Sequence, residues 1–173
     1  MKKFLGLLVF ALLLSGCDDG DMVLESFNFG TATIQKCPDK QLLFKTSNEE
    51  LLLVNIPASS FPNAATPAGQ PTIVTISGSN SVLYRKYNGA VTGGTICSVV
   101  PPSSPSVLKE WTAAQGGKIQ ITSTERTATD PVTNVTTVVG HNHQIKFINI
   151  QFVSSDNTFV FEEYLFGTYQ TSI

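Results

Sequence analysis

Residues 144–166 read QIKFINIQFVSSDNTFVFEEYLF, and the fold is decided here. Apolar and β-branched side chains run to Val153, the polar stretch Ser154-Ser155-Asp156-Asn157 interrupts them, and Thr158-Phe159-Val160-Phe161 resumes the pattern. Residues two apart on a strand share a face, so Ile148, Ile150 and Phe152 are expected together on one side. Asp156-Asn157 supplies the turn chemistry that makes the whole stretch a hairpin.

Working outward, the rest of the chain has the same texture. No window carries a sustained apolar repeat at three and four residues, whereas β-branched and aromatic residues cluster in short runs broken by Gly, Pro, Asn and Ser. The expected strands are 23–34, 42–46, 51–56, 72–77, 81–87, 95–99, 107–113, 118–126, 134–141, 144–153 and 158–166. Phe27 and Phe29 are expected to share one face, and Ile119 and Ile121 another. Ser47-Asn48, Asn88-Gly89 and Gly116-Gly117 mark turns. Two proline-bearing stretches, 57–71 and 101–105, are excluded from central strands because proline lacks a ladder donor. The longer is expected as a surface loop, either for recognition or as a connection between sheets. Short strands with this punctuation predict an all-β fold, an antiparallel β-sandwich of about nine to eleven strands.

The amino terminus fixes an address. Met1-Lys2-Lys3 is cationic, and an apolar run of about eleven residues follows from Phe4 to Leu14, the size of a signal h-region. A membrane-spanning helix needs about twenty. The run ends in Leu14-Ser15-Gly16-Cys17, which resembles the lipobox of bacterial lipoproteins at every position. Small side chains at Ser15 and Gly16 leave the scissile bond accessible, and the Cys17 thiolate is the nucleophile that takes the diacylglyceryl group. The chain is therefore expected to divide into a signal peptide (1–16), a short acidic tether from lipidated Cys17 (17–22) and one domain (23–173). Two or more acyl chains hold stably where one is marginal, each buried methylene contributing about 0.8 kcal/mol. The acidic tether that begins Asp18-Asp19-Gly20-Asp21, at most about six residues long, spans only roughly 20 Å when extended, at about 3.3 Å per residue.

Cleavage at this point would leave 173 − 16 = 157 residues, enough for one core. Losing Lys2 and Lys3 takes Lys plus Arg from 11 to 9 against 13 acids, a formal charge of −4. With no basic stripe, nucleic acid is not an expected partner. Beyond Cys17 there remain Cys37 and Cys97, which have one pairing open to them in an oxidising compartment, and a disulfide is predicted.

Chemistry-bearing motifs are sparse. His141-Asn142-His143 would place two imidazoles on one strand face, as a metal site requires, and Glu125, Asp130, Glu162 and Glu163 are the carboxylates of the right type. The alternative puts the same residues at a hairpin turn after Gly140, both histidines solvated. The chain lacks a nucleophile elbow, a glycine-rich phosphate loop and a His-Glu-x-x-His helix. The acid pairs Glu49-Glu50 and Glu162-Glu163 point to opposite faces of a strand. No catalytic residue, metal site or cofactor is therefore assigned, and the chain is expected not to be an enzyme. Trp111, Tyr84, Tyr87, Tyr164 and Tyr169 would suit a sugar-stacking surface if exposed together, or a half-buried sheet if not.

The segments Cys17-Asp18-Asp19-Gly20-Asp21, Ser26-Phe27-Asn28-Phe29, Leu43-Phe44-Lys45-Thr46 and Val82-Leu83-Tyr84-Arg85-Lys86-Tyr87 give the chain a family likeness. Cys37, Cys97, Val100-Pro101-Pro102-Ser103-Ser104-Pro105 and Glu110-Trp111-Thr112-Ala113 extend it. Across these segments the chain resembles uncharacterised lipoproteins of Bacteroidota, particularly flavobacteria. The resemblance implies an envelope address and no mechanism. In such bacteria the acidic residues after the lipidated cysteine look like a surface-export signal, so the outer membrane is the expected location. The expected function is a non-catalytic binding or structural module with a protein or glycan partner. Glycan binding at the surface and metal binding through His141 and His143 are the alternatives.

Overall fold

The computed structural model describes residues 26–173; the signal segment, Cys17, the tether and residues 23–25 lie outside the described residues. Nine strands follow in chain order: β1 (Gln35–Lys36), β2 (Leu42–Ser47), β3 (Glu50–Asn55), β4 (Thr72–Thr75), β5 (Ser81–Tyr87), β6 (Val107–Ala113), β7 (Lys118–Thr129), β8 (Thr136–Val153) and β9 (Thr158–Ser172). Every pairing is antiparallel, and the domain is all-β.

The ladder runs β1-β2-β3-β5-β6-β8-β7-β4, with β9 on β8, as one nine-stranded sheet. Two separately bonded sheets, as in a sandwich, are not what forms: hydrogen bonding passes unbroken from β5 through β6 to β8. The sheet instead rolls upon itself, because Leu43 of β2, Tyr84 of β5, Trp111 of β6, Ile121 of β7, Phe147 of β8 and Phe166 of β9 all enter one core. The long strand β8 organises the roll. One of its edges is shared between β7 and the end of β6, and β9 takes the other.

Several expectations change for physical reasons. Residues 134–141 and 144–153 are one continuous strand rather than two, so His141 and His143 lie mid-strand and not at a turn. Gly140, at φ +158°, permits this: a Cβ there would stand 2.0 Å from the Thr171 carbonyl oxygen, so only glycine lets β9 approach. Asn149, at φ +49°, has no partner in the β8–β9 register, and the side-chain alternation switches across it. Ile145 and Phe147 face inward before it and Ile150 and Phe152 after it, which leaves Ile148 on the other side from Ile150.

Within the expected strand 23–34, the described part forms no ladder. Asn28 accepts a hydrogen bond from the Gly30 backbone N–H through its side chain, and the chain turns there. Phe27 and Phe29 nevertheless enter the core, Phe27 stacking on Tyr84 at 4.9 Å. The expected strand 95–99 is a short helix, α1 (Gly93–Cys97). Local β-propensity yields here because the helical turn delivers Cys97 to Cys37, to which it is disulfide-bonded with 5.3 Å between the Cα atoms.

The apolar run Leu51-Leu52-Leu53-Val54 on β3 is buried on both faces. Leu52 and Val54 join the main core, while Leu51 and Leu53 pack outward with Phe44, Tyr87, Val91 and the disulfide into a second cluster. The 57–71 stretch is a connection tied down at its middle: Phe61 is buried, and Thr66 exchanges backbone and side-chain hydrogen bonds with Ser123.

Candidate functional site

On β2 the alternation that sends Leu43 into the core and Phe44 outward also sends Lys45 inward. A lysine at a core position is a conflict between pattern and chemistry, and such conflicts concentrate at functional sites. Lys45 is 7% exposed. Its ammonium lies 5.8 Å from the centroid of the Phe166 ring, a cation–π arrangement. Desolvation holds its pKa below the usual lysine value. Among the described residues no carboxylate stands within ion-pair range of it.

The wall opposite Lys45 comes from an irregularity in β9. Ile145 pairs with Gly167 and Lys146 with Leu165, so Phe166 is an extra residue in the bulge and turns fully inward. Gly167 has φ +136°, and a Cβ on it would stand 3.3 Å from both the Lys45 Nζ and the Ile34 Cδ1. No ladder joins β9 to β1 or β2 among the described residues. The roll therefore stays open along a seam, with Ile34 and Lys45 on one lip and Gly167 to Gln170 on the other. A cavity of about 590 Å³ occupies that seam, and among the described residues its charged lining is Lys36 and Lys45, both cationic.

Around the same end of the roll, His143 is buried and fully engaged. Its Nδ1 is 2.7 Å from the Ser123 hydroxyl and its Nε2 is 3.0 Å from the Thr171 hydroxyl. Phe61 packs edge-on against the His143 ring, and Tyr169, which also lines the seam cavity, stacks on it. His141 shares this face, 6.2 Å from His143 between ring centroids. With both His143 nitrogens committed, the pair contributes no open imidazole couple. Among the described residues no three His, Cys, Asp or Glu side chains converge. The carboxylates named from sequence are engaged or set apart. Asp130 accepts from the backbone N–H groups of Val132 and Thr133, Glu163 pairs with Lys146, and Glu125 and Glu162 are exposed.

The aromatic set does not form a stacking surface. Trp111 and Tyr84 are fully buried and Tyr87 nearly so, while Tyr164 and Tyr169 pack against the core. Lys45 was missed because it sits in a short run with ordinary neighbours; its signal was the Leu43-x-Lys45 spacing, which places a charge on a core face.

Burial, with a smaller contribution from the nearby His141, holds the His143 pKa below the ordinary histidine value. The unfolded chain therefore binds the proton more tightly, and stability is expected to fall as pH drops through about 6.5. The loss continues until the lower folded pKa is passed, at no more than about 1.4 kcal/mol per pH unit for one proton. Melting temperatures taken from pH 7.5 to 5 should decline, and His143→Gln should flatten the profile over that window. An unchanged slope in the variant would assign the acid sensitivity elsewhere.

Compared with protein families, curated proteins and solved structures, the chain matches none.

Proposed function

We propose that this chain is a lipid-anchored protein of the cell envelope, held at the outer membrane through Cys17, that works by binding a small ligand rather than by turning one over. The address rests on the signal segment and the Leu14-Ser15-Gly16-Cys17 motif. The binding role rests on one observation above all: a cavity at the seam of the rolled sheet faced by a nearly buried lysine that has no carboxylate in ion-pair range among the described residues. Its size falls within the range of small-molecule sites, roughly 300–1,000 Å³, and its walls come from β1, β2 and β9 together with Ala32 to Ile34 just before β1.

Two measurements test the two halves separately. Cys17→Ala should move the protein out of the membrane fraction, since the acyl chains supply the anchorage; retention in that fraction would refute the anchor. A bound ligand should raise the melting temperature of the lipidated protein, by about 2.7 kcal/mol of added stability at a hundredfold excess over Kd. Thr33→Trp, which fills the mouth of the cavity, should abolish the effect, and stabilisation that survives this substitution would move the binding role away from the seam.

A further inference from the structure

Resting on that reading, we propose that the seam cavity takes a small carboxylate with an apolar body, its anionic head paired with Lys45 and its body lying against Ile34 and Ala32. A cation buried without a partner is costly, and proteins retain one where something bound compensates it. Lys45 meets that description: it is over nine-tenths buried, on a core-facing strand position, with its ammonium beside the cavity wall formed by Gly167. Among the described residues no acidic side chain lines the cavity, so the compensating charge is left to an occupant.

The charge class follows from the residue type. Phosphate sites are built from backbone N–H nests, helix amino termini or planar guanidinium forks, which spread donors over several oxygens. Here there is one compact ammonium, with Lys36 exposed at the rim, so a single negative charge is matched and a dianion is not. The apolar body follows from the surroundings. Ala32 and Ile34 line the cavity and also pack against the main core, and Phe166 closes the space beneath the ammonium. Thr33, Thr168 and Gln170 provide hydrogen-bonding groups around the head.

The experiment uses the lipidated protein in phospholipid nanodiscs, with hexanoate as the probe and the backbone amide resonances of Ile34, Gly167 and Thr168 as the readout. Hexanoate should shift these signals saturably, whereas hexan-1-ol and hexylammonium should not. Lys45→Met, its folding checked by a native-like spectrum, should weaken hexanoate at least about tenfold, and Lys45→Arg should restore most of the binding. Undiminished binding to Lys45→Met, or equal binding of hexan-1-ol, would overturn the role of the charge. Equal binding of inorganic phosphate would overturn the role of the apolar body. If hexanoate binds only after Asp18, Asp19, Asp21 and Glu25 are replaced by their amides, the occupant is the acidic segment of this same chain and the proposal fails. A different compound that shifts the seam amides while hexanoate is silent refutes the carboxylate and leaves the binding role standing. Silence toward every compound refutes both.

Discussion

Replacing Cys37 and Cys97 together by serine is expected to lower the free energy of unfolding by about 4 kcal/mol, the chain-entropy value for a closed loop of this size. The sequence separation is 60, and the enclosed segment carries β2 through β5, nearly half of the sheet. The bond also pins α1 and the residues after β1 over the outward cluster, where Phe44, Leu51 and Tyr87 are nearly inaccessible to water. Without it the unfolded chain regains the entropy of a long loop, and the cover over β3 is held by packing alone. Urea unfolding of the oxidised protein and of the double variant measures the difference. A midpoint unchanged between the two would mean that the bridge contributes nothing to the folded state. Reduction of the wild type with a thiol should reproduce the variant, which separates loss of the bond from the change in side chain.

Trp111→Ala is expected to cost about 3–5 kcal/mol, the range for deleting a large aromatic from a packed interior. Trp111 is fully buried at the point where β6 passes between β5 and β8, and its ring contacts Tyr84 and Phe159. Its indole N–H donates to the Asn157 side-chain oxygen at 2.7 Å, and Ser154 binds the same oxygen at 2.9 Å. The tryptophan therefore ties β6 to the turn between β8 and β9, and its loss empties a volume and loosens that turn together. Lys109, whose ammonium stands 5.3 Å from the indole centroid and 2.8 Å from an Asp156 carboxylate oxygen, braces the outer side of the same turn. Trp111→Phe should retain most of the packing while losing the hydrogen bond, at a cost of about 1 kcal/mol. Denaturant titrations of the three proteins give the ranking; a loss below 1 kcal/mol for the alanine variant would show that the site repacks.

The strands whose limits are read directly from the sequence are those bounded by strong punctuation. β5 at Ser81–Tyr87 and β6 at Val107–Ala113 agree with the expectation to the residue, because Gly, Ser and Asn flank the first and proline precedes the second. The hairpin of β8 and β9 was legible from Ser154 to Asn157 for the same reason. What escaped depends on partners distant in the chain. Whether Gly140 ends a strand or allows a neighbour to come close is settled by the Thr171 carbonyl, thirty-one positions further on. Whether Ile148 faces inward depends on a left-handed residue at Asn149, a local choice that β8 makes while keeping two sets of partners. Whether the strands divide into two sheets or continue as one depends on the short β6–β8 junction at Thr112 and Ala113, which no local pattern reveals. The candidate site was the least legible part. A lysine announces itself only when its neighbours are known to be core, and the lip facing it belongs to a strand more than a hundred residues away.

That separation along the chain has a consequence for when the cavity exists. Lys45 belongs to the second strand of the sheet and Gly167 to the ninth, so the intervening strands can pair and bury their faces while one lip is still missing. A product that stops short of Phe166 would keep its lysine yet have no compartment to present it in. The seam cavity is thus completed only by the final strand, and its walls meet only in a chain whose last strand has docked.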